Sequence, residues 1–181
     1  PDARLPEDFY IMYAVTCDET GKGPGSESLM KECIALYPKS HSALNYLAYT
    51  WAEKGENLDL ARVYVRRALD LEPDNGAYLD TLGWIDFQEG RYLEALKHIR
   101  RANELIEDDP TILDHLGDVY HALDEAEKAV DHWTRSLKAD PSAESVAAKL
   151  RRAGADVEAI LRAADKTAAE PEKKKSSPEK P

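Results

Sequence analysis

The 181-residue sequence has no apolar run approaching the ~18 residues that a bilayer-spanning helix needs, so no transmembrane helix is expected. Positive charge is in the minority, with 24 Lys and Arg against 35 Asp and Glu and a net charge of -11. A surface that neutralises nucleic-acid phosphates needs the opposite balance, and so does docking on an anionic membrane. Cysteine is scarce. Cys17 and Cys33 have neither metal nor redox spacing, and would bridge only with Cα atoms within about 7 Å of each other. They are read as two ordinary, half-buried thiols, which leaves the compartment open. No methionine or signal peptide precedes Pro1, so a processed chain or an excised piece of a longer one is expected.

Catalytic signatures are also lacking. There is no nucleophile–base motif, no P-loop and no defensible pair of catalytic carboxylates, so neither an enzyme nor a cofactor is expected. The glycine-rich stretch Asp18 to Ser26 (DETGKGPGS) has no lysine–hydroxyl pair after its last glycine and no preceding strand. It is read as a flexible, solvated connection. Asp114, Asp118 and His121 share one helical stripe, but ligands on one straight helix seldom converge, and no metal site is assigned.

What the chain does have is a repeat. In the stretch Asn75 to Asp109, Leu79, Leu82 and Gly83 sit at i, i+3 and i+4, one face of a helix. Gly90 breaks the pattern. Ala95, Ile99, Ala102 and Leu105 then follow a second helical stripe. One period on, Leu79, Leu82, Gly83, Ala95 and Ala102 become Leu113, Leu116, Gly117, Ala129 and Ser136. One period back, Ala95 and Ala102 become Ala61 and Ala68, and a one-residue slip at the Gly55 turn brings Leu44, Leu47, Ala48 and Trp51 into register. The small residues Ala48, Gly83 and Gly117 fall where two helices of a hairpin approach closely. Gly55 and Gly90 suit the left-handed backbone that ends a helix, and Asp124 replaces glycine at the third such turn. Pro38, Pro73 and Pro141 close second helices, and Asp109-Pro110 has the form of a cap followed by proline in the first turn. A short hairpin of this kind cannot bury both apolar faces alone and needs neighbours like itself.

A 34-residue period of helix, turn and helix resembles the tetratricopeptide-repeat family. The resemblance implies an all-α solenoid of helical hairpins in a right-handed superhelix. Residues 41–141 would hold three repeats and residues 1–40 a degenerate first one, in which Phe9 to Val15 is a helix rather than a strand. Residues 142–169 would form C-terminal capping helices, whose outer face carries Arg151 and Arg152 where another hairpin would need small side chains. Residues 170–181, which hold Lys173 to Lys175, have no large apolar side chain and are expected to be a disordered, solubilising tail. Arg66, Arg67, Arg100 and Arg101 are expected on a solvated outer face. Asp86 stands where Trp51 and Tyr120 stand in the other copies, and a carboxylate at a packing site needs a donor, so a nearby arginine is expected to pair with it.

In the family, first helices line a concave groove that holds partners. By register, that implies Asn45, Tyr49 and Ala52 in the first good copy, Asp80, Trp84, Phe87 and Gln88 in the next, and Asp114, Asp118 and His121 in the third. Tyr49, Trp84 and Phe87 would anchor a peptide, and the aspartates would form an acidic rim that favours a basic or neutral segment. The implied function is non-catalytic protein or peptide binding by an adaptor. The segment Leu79 to Trp84 (LDTLGW) is similar to the C-terminal repeats of bacterial envelope adaptors, which implies a periplasmic or envelope setting over a cytoplasmic one. The alternative is a self-assembling scaffold, a homo-oligomer formed through an uncovered N-terminal edge at Tyr10, Tyr13 and Met30.

Overall fold

The computed structural model describes residues 5–21 and 25–169, without the side chains of residues 19 and 165–169. All regular elements among them are helices. They come in pairs, α1 (Glu7–Thr20) with α2 (Ser26–Leu36), α3 (His41–Lys54) with α4 (Leu58–Leu71), α5 (Gly76–Gln88) with α6 (Tyr92–Leu105) and α7 (Pro110–Ala122) with α8 (Ala126–Ala139). The shorter α9 (Glu144–Arg152) and α10 (Val157–Ala169) follow. No helix among the described residues is long and apolar enough to cross a membrane. The tail expected from residue 170 lies outside the described residues.

The stops and starts have local causes. Gly55, Gly90 and Asp124 take left-handed backbone, with φ of 64°, 75° and 60°. Each lies between the two helices of a pair, where the chain must reverse. Asn57 and Asp108 do the same without glycine, at φ of 49° and 56°. Asp109 accepts from the backbone N–H groups of Thr111 and Ile112, with Pro110 in the first turn of α7. Asn75 caps α5 in the same way. The α1 helix runs on to Thr20, three residues into the stretch expected as loop, because Gly21 rather than Asp18 supplies the left-handed stop at φ 64°.

Two compact units result, Pro1–Ile106 and Glu107–Pro181. In the first, α5 packs on its partner α6 and also against α3 and α4. Its core includes Leu44, Leu47, Trp51, Val65 and Ile85, all essentially free of solvent. Each such side chain contributes roughly 1.5–3 kcal/mol by leaving water. Gly83 lets α6 approach α5, since a Cβ there would come within 3.2 Å of the Ala95 carbonyl and closer still to Ile99. In the second unit α8 packs against α7 and α9, and α10 lies on α8 and α9. Gly117 leaves the space that Trp133 fills, and a Cβ at Gly117 would fall inside the indole's van der Waals surface. Ala147 and Leu150 turn inward from α9, while Arg151 and Arg152 stay in solvent.

Cys17 and Cys33 are both free and both buried, more deeply than the half-buried state expected of them. The burial pushes the Cys33 thiol up from its ordinary pKa, because a thiolate there would lose its hydration.

Candidate functional site

The first unit carries the stripes on α3 and α5. Asn45 and Tyr49 are half-buried on α3, and Phe87 and Gln88 are half-buried near the end of α5. Gln88 Oε1 comes within 3.8 Å of where a Cβ on Gly55 would stand, so the ends of α3 and α5 meet there. Two expected groove residues are placed differently. Trp84 is only 8% exposed and Asp80 only 4%. The Trp84 ring stacks flat on Phe87, with centroids 4.6 Å apart and planes 4° from parallel, and Phe87 in turn tilts against Tyr92 on α6. Trp84 is thus part of the unit's core rather than an open anchor, because an indole gains more from ring contact and burial than from a wet wall. Ala52 is fully buried too.

Asp86 is the centre of an ionic network. Arg62 of α4 donates to its Oδ1 at 2.8 Å, and Arg91 donates to the same oxygen from Nη2 at 2.7 Å and from Nε at 3.1 Å. His98 Nδ1 of α6 lies 2.8 Å from Oδ2. A carboxylate can only accept, so Nδ1 carries the proton. Glu89 takes a further bond from Arg62 at 2.7 Å and pairs with Arg91. The carboxylate at a packing position is therefore satisfied inside the first unit, as its burial requires.

The second unit holds the third stripe, and here the acidic rim closes on itself. Lys149 of α9 places its ammonium 2.7 Å from Asp114 Oδ1 and 2.7 Å from Asp118 Oδ2. The Trp133 indole Nε1 donates to the other Asp118 oxygen at 3.0 Å. Lys149 also sits 6.0 Å from the Trp133 ring centroid, within cation–π range. Burial raises the Asp114 carboxyl above the usual range, the Lys149 hydrogen bond opposes that, and the neighbouring Asp118 charge adds to it. His121 is exposed, with its ring 5.5 Å from that of Trp133. Asp118, His121, Trp133, Lys149 and Arg152 line a recess of about 300 Å³.

The expected rim of Asp80, Asp114 and Asp118 is accordingly not an open one. One aspartate is buried and two are bridged by a single lysine of the capping helix. Reading the stripes of first helices missed Lys149, Arg152 and Trp133, which come from α8 and α9. A faint signal existed, since Trp133 stands where the preceding copy has Ile99, opposite a glycine with no side chain of its own.

No protein-family model matches the sequence. A curated relative, the TPR repeat-containing protein PA4667 of Pseudomonas aeruginosa, is 30% identical over 117 residues. The match covers 64% of this chain and only 20% of the relative, so the chain spans about a fifth of that protein's length. Among solved structures, the chain is similar to PilF of Pseudomonas aeruginosa, with a TM-score of 0.66 and 22% identity over 81% of this chain and 67% of that one. It is also similar to the first TPR of Spaghetti (RPAP3) bound to the HSP90 peptide SRMEEVD, with a TM-score of 0.57 and 18% identity over 63% of this chain and 90% of that one.

Proposed function

We propose that the chain, whose helical hairpins share the fold of solved tetratricopeptide-repeat structures, belongs to that family and is a non-catalytic protein-binding module. A partner segment lies on the first unit across α3 and α5. The single observation that carries this reading is the surface where those two first helices meet. Asn45, Tyr49, Phe87 and Gln88 stand half-exposed on it, backed by the buried Trp84, which stacks on Phe87. Half-exposed aromatic and amide side chains on a rigid support give a partner apolar area and hydrogen bonds at small ordering cost. The RPAP3 repeats, seen with a peptide bound, support the reading by showing what this fold can do. The preference for a basic or neutral segment then rests on long-range steering by the net charge of -11, since the aspartates themselves are engaged. A place in a bacterial envelope assembly belongs to the same proposal. It rests on the resemblance of Leu79 to Trp84 to the repeats of bacterial envelope adaptors, and two of the similar proteins come from a bacterium, Pseudomonas aeruginosa.

The test is site-specific cross-linking of the full chain. A photo-reactive residue at position 49 or 88 is expected to capture a partner that one at Val63, exposed on α4, does not. Tyr49→Ala with Gln88→Ala is expected to abolish capture while helicity and melting temperature stay near wild type. Equal capture from Val63 would remove the reading.

A specific observation also favours the self-assembling alternative, through Tyr13 as expected but with Phe9 and Met12 in place of Tyr10 and Met30. Tyr10 and Met30 are buried within the first unit by α1 and α2 themselves. Phe9, Met12 and Tyr13 are exposed, Met12 by 65%, whereas Ala43 and Leu47, which match Phe9 and Tyr13 one repeat later, are fully buried in α3. An apolar stripe at i, i+3 and i+4 that is covered in the next copy is open in this one. Light scattering on wild type and Met12→Glu separates the cases. Concentration-dependent mass that the substitution abolishes supports association through α1, and a monomer at all concentrations removes it.

A further inference from the structure

We propose that Asn75 is a site of spontaneous covalent modification: it loses its side-chain amide to intramolecular attack by the Gly76 nitrogen, and the fold admits that attack only when the first turn of α5 unwinds. The inference is independent of the protein-binding reading and uses other residues.

The chemistry is that of asparagine followed by glycine. The backbone nitrogen of the next residue bonds to Cγ, the bond from Cγ to the amide nitrogen breaks and ammonia leaves, giving a five-membered imide. Water then opens the ring. Cleavage at Cγ gives aspartate. Cleavage at the backbone carbonyl gives isoaspartate, in which the chain runs through the former side chain. A side chain on the following residue hinders the attack, and glycine has none. Asn45, Asn57 and Asn103 precede Tyr46, Leu58 and Glu104, so Asn75 is the asparagine with the open neighbour. Packing enforces that glycine. A Cβ at position 76 would lie 2.7 Å from Ile106 Cγ1 and 3.2 Å from the Ala102 carbonyl oxygen. The residue that lets α5 approach α6 is thus the one that leaves Asn75 open to attack.

The native geometry holds the reaction off. Ring closure needs the Gly76 nitrogen nearly eclipsed with Cβ about the Cα–C bond of Asn75. There ψ is 110°, which keeps the two well apart. The side chain is pinned as well, since Oδ1 accepts from the N–H groups of Ala77 at 3.1 Å and Tyr78 at 3.3 Å. Turning the peptide gives up that cap and draws the buried Gly76 out from beside Ile106. The rate therefore follows local opening of α5. The two products act differently on the fold. Aspartate keeps the cap and adds negative charge at the helix N-terminus, where it is favourable. Isoaspartate inserts a methylene into the backbone, so Gly76 no longer fits against Ala102 and Ile106. One opening is thereby converted into a lasting loosening of the α5–α6 hairpin.

The experiment ages the full chain in mildly alkaline buffer at 37 °C, with and without guanidinium chloride. Peptide mass spectrometry follows conversion at each asparagine, and electron-transfer fragmentation tells aspartate from isoaspartate. Conversion at Asn75 is expected to outrun that at Asn45, Asn57 and Asn103 in denaturant, and to be about tenfold slower or more in the native chain. Ile106→Ala, which uncovers Gly76, is expected to speed the native reaction several-fold and to leave the denatured rate unchanged. Asn75→Ser caps about as well and has no amide to lose, so it is expected to melt like wild type and to stay unmodified at that position. Aged wild type, by hydrogen exchange, is expected to lose protection in α5 and α6, whereas a fresh Asn75→Asp chain keeps it. No preference for Asn75 in denaturant would overturn the site. Equal rates in the native and denatured chains, or an Ile106→Ala rate equal to wild type in native buffer, would overturn the control by the fold. Protection lost equally in Asn75→Asp would overturn the role of the inserted methylene.

Discussion

Replacing Asp86 by asparagine tests how the first unit is held together. The side chain keeps its shape and loses its charge. In the structure the carboxylate is 2% exposed and meets Arg62, Arg91 and His98. Charge-assisted bonds are about twice as strong as neutral ones, so each contact loses on the order of 1 kcal/mol. The three do not weigh equally. The Arg91 side chain is 43% exposed and can turn to water, so its share is small. Arg62 keeps Glu89 as a second partner. His98 has only the asparagine oxygen or amide to meet. The net cost is about 2 kcal/mol. In a chain of this length that lowers the melting temperature by roughly 4–8 °C. Alanine, which leaves Arg62 and His98 facing a void, is expected to cost about 3 kcal/mol, near the low end for breaking a buried pair. Urea unfolding gives the total, and hydrogen exchange localises it, with faster exchange expected in α4, α5 and α6. A double-mutant cycle with Arg62→Met is expected to return a coupling of about 1 kcal/mol. A loss below about 0.5 kcal/mol for Asp86→Asn would refute the reasoning, as would additive behaviour in the cycle, because the network would then be decoration.

Four further outcomes follow from the packing and the charges. Gly83→Ala is expected to cost about 1–3 kcal/mol by forcing α5 and α6 apart at Ile99. Gly90→Ala meets open space and is expected to cost only about 1–2 kcal/mol of left-handed strain, so its unfolding is shifted while α5–α6 exchange protection is kept. Asp114 has a carboxyl raised by burial, so the native chain holds its proton to higher pH than the unfolded chain does. Between the two values wild-type stability falls with rising pH. Asp114→Asn, which lacks that proton, is expected to gain stability relative to wild type from pH 3 to pH 7, as read by urea midpoints. A thiol reagent is expected to reach neither Cys17 nor Cys33 in the native chain and to label both in denaturant. Rapid native labelling of either would contradict their burial.

The sequence alone determined the helices, the turns and the close approaches. Apolar residues at helical spacing, glycine or aspartate at each reversal and small residues at Gly83 and Gly117 are local statements, and a period repeats them until the register is clear. The pairing of Asp86 with an arginine was legible for a related reason, since a buried carboxylate must find a donor wherever one lies. Only tertiary structure decided what the groove stripes became. Helical register places Asp114 and Asp118 on one face of α7. It carries no term for a lysine 31 and 35 residues away on α9, whose ammonium takes up both. Trp84 lies on the outer stripe of its helix, yet stacking on Phe87 draws it inward. Periodicity records how a helix meets its own hairpin. Which charges and rings meet across helices is set by interhelical distances of a few ångströms, and those exist only after the chain has folded.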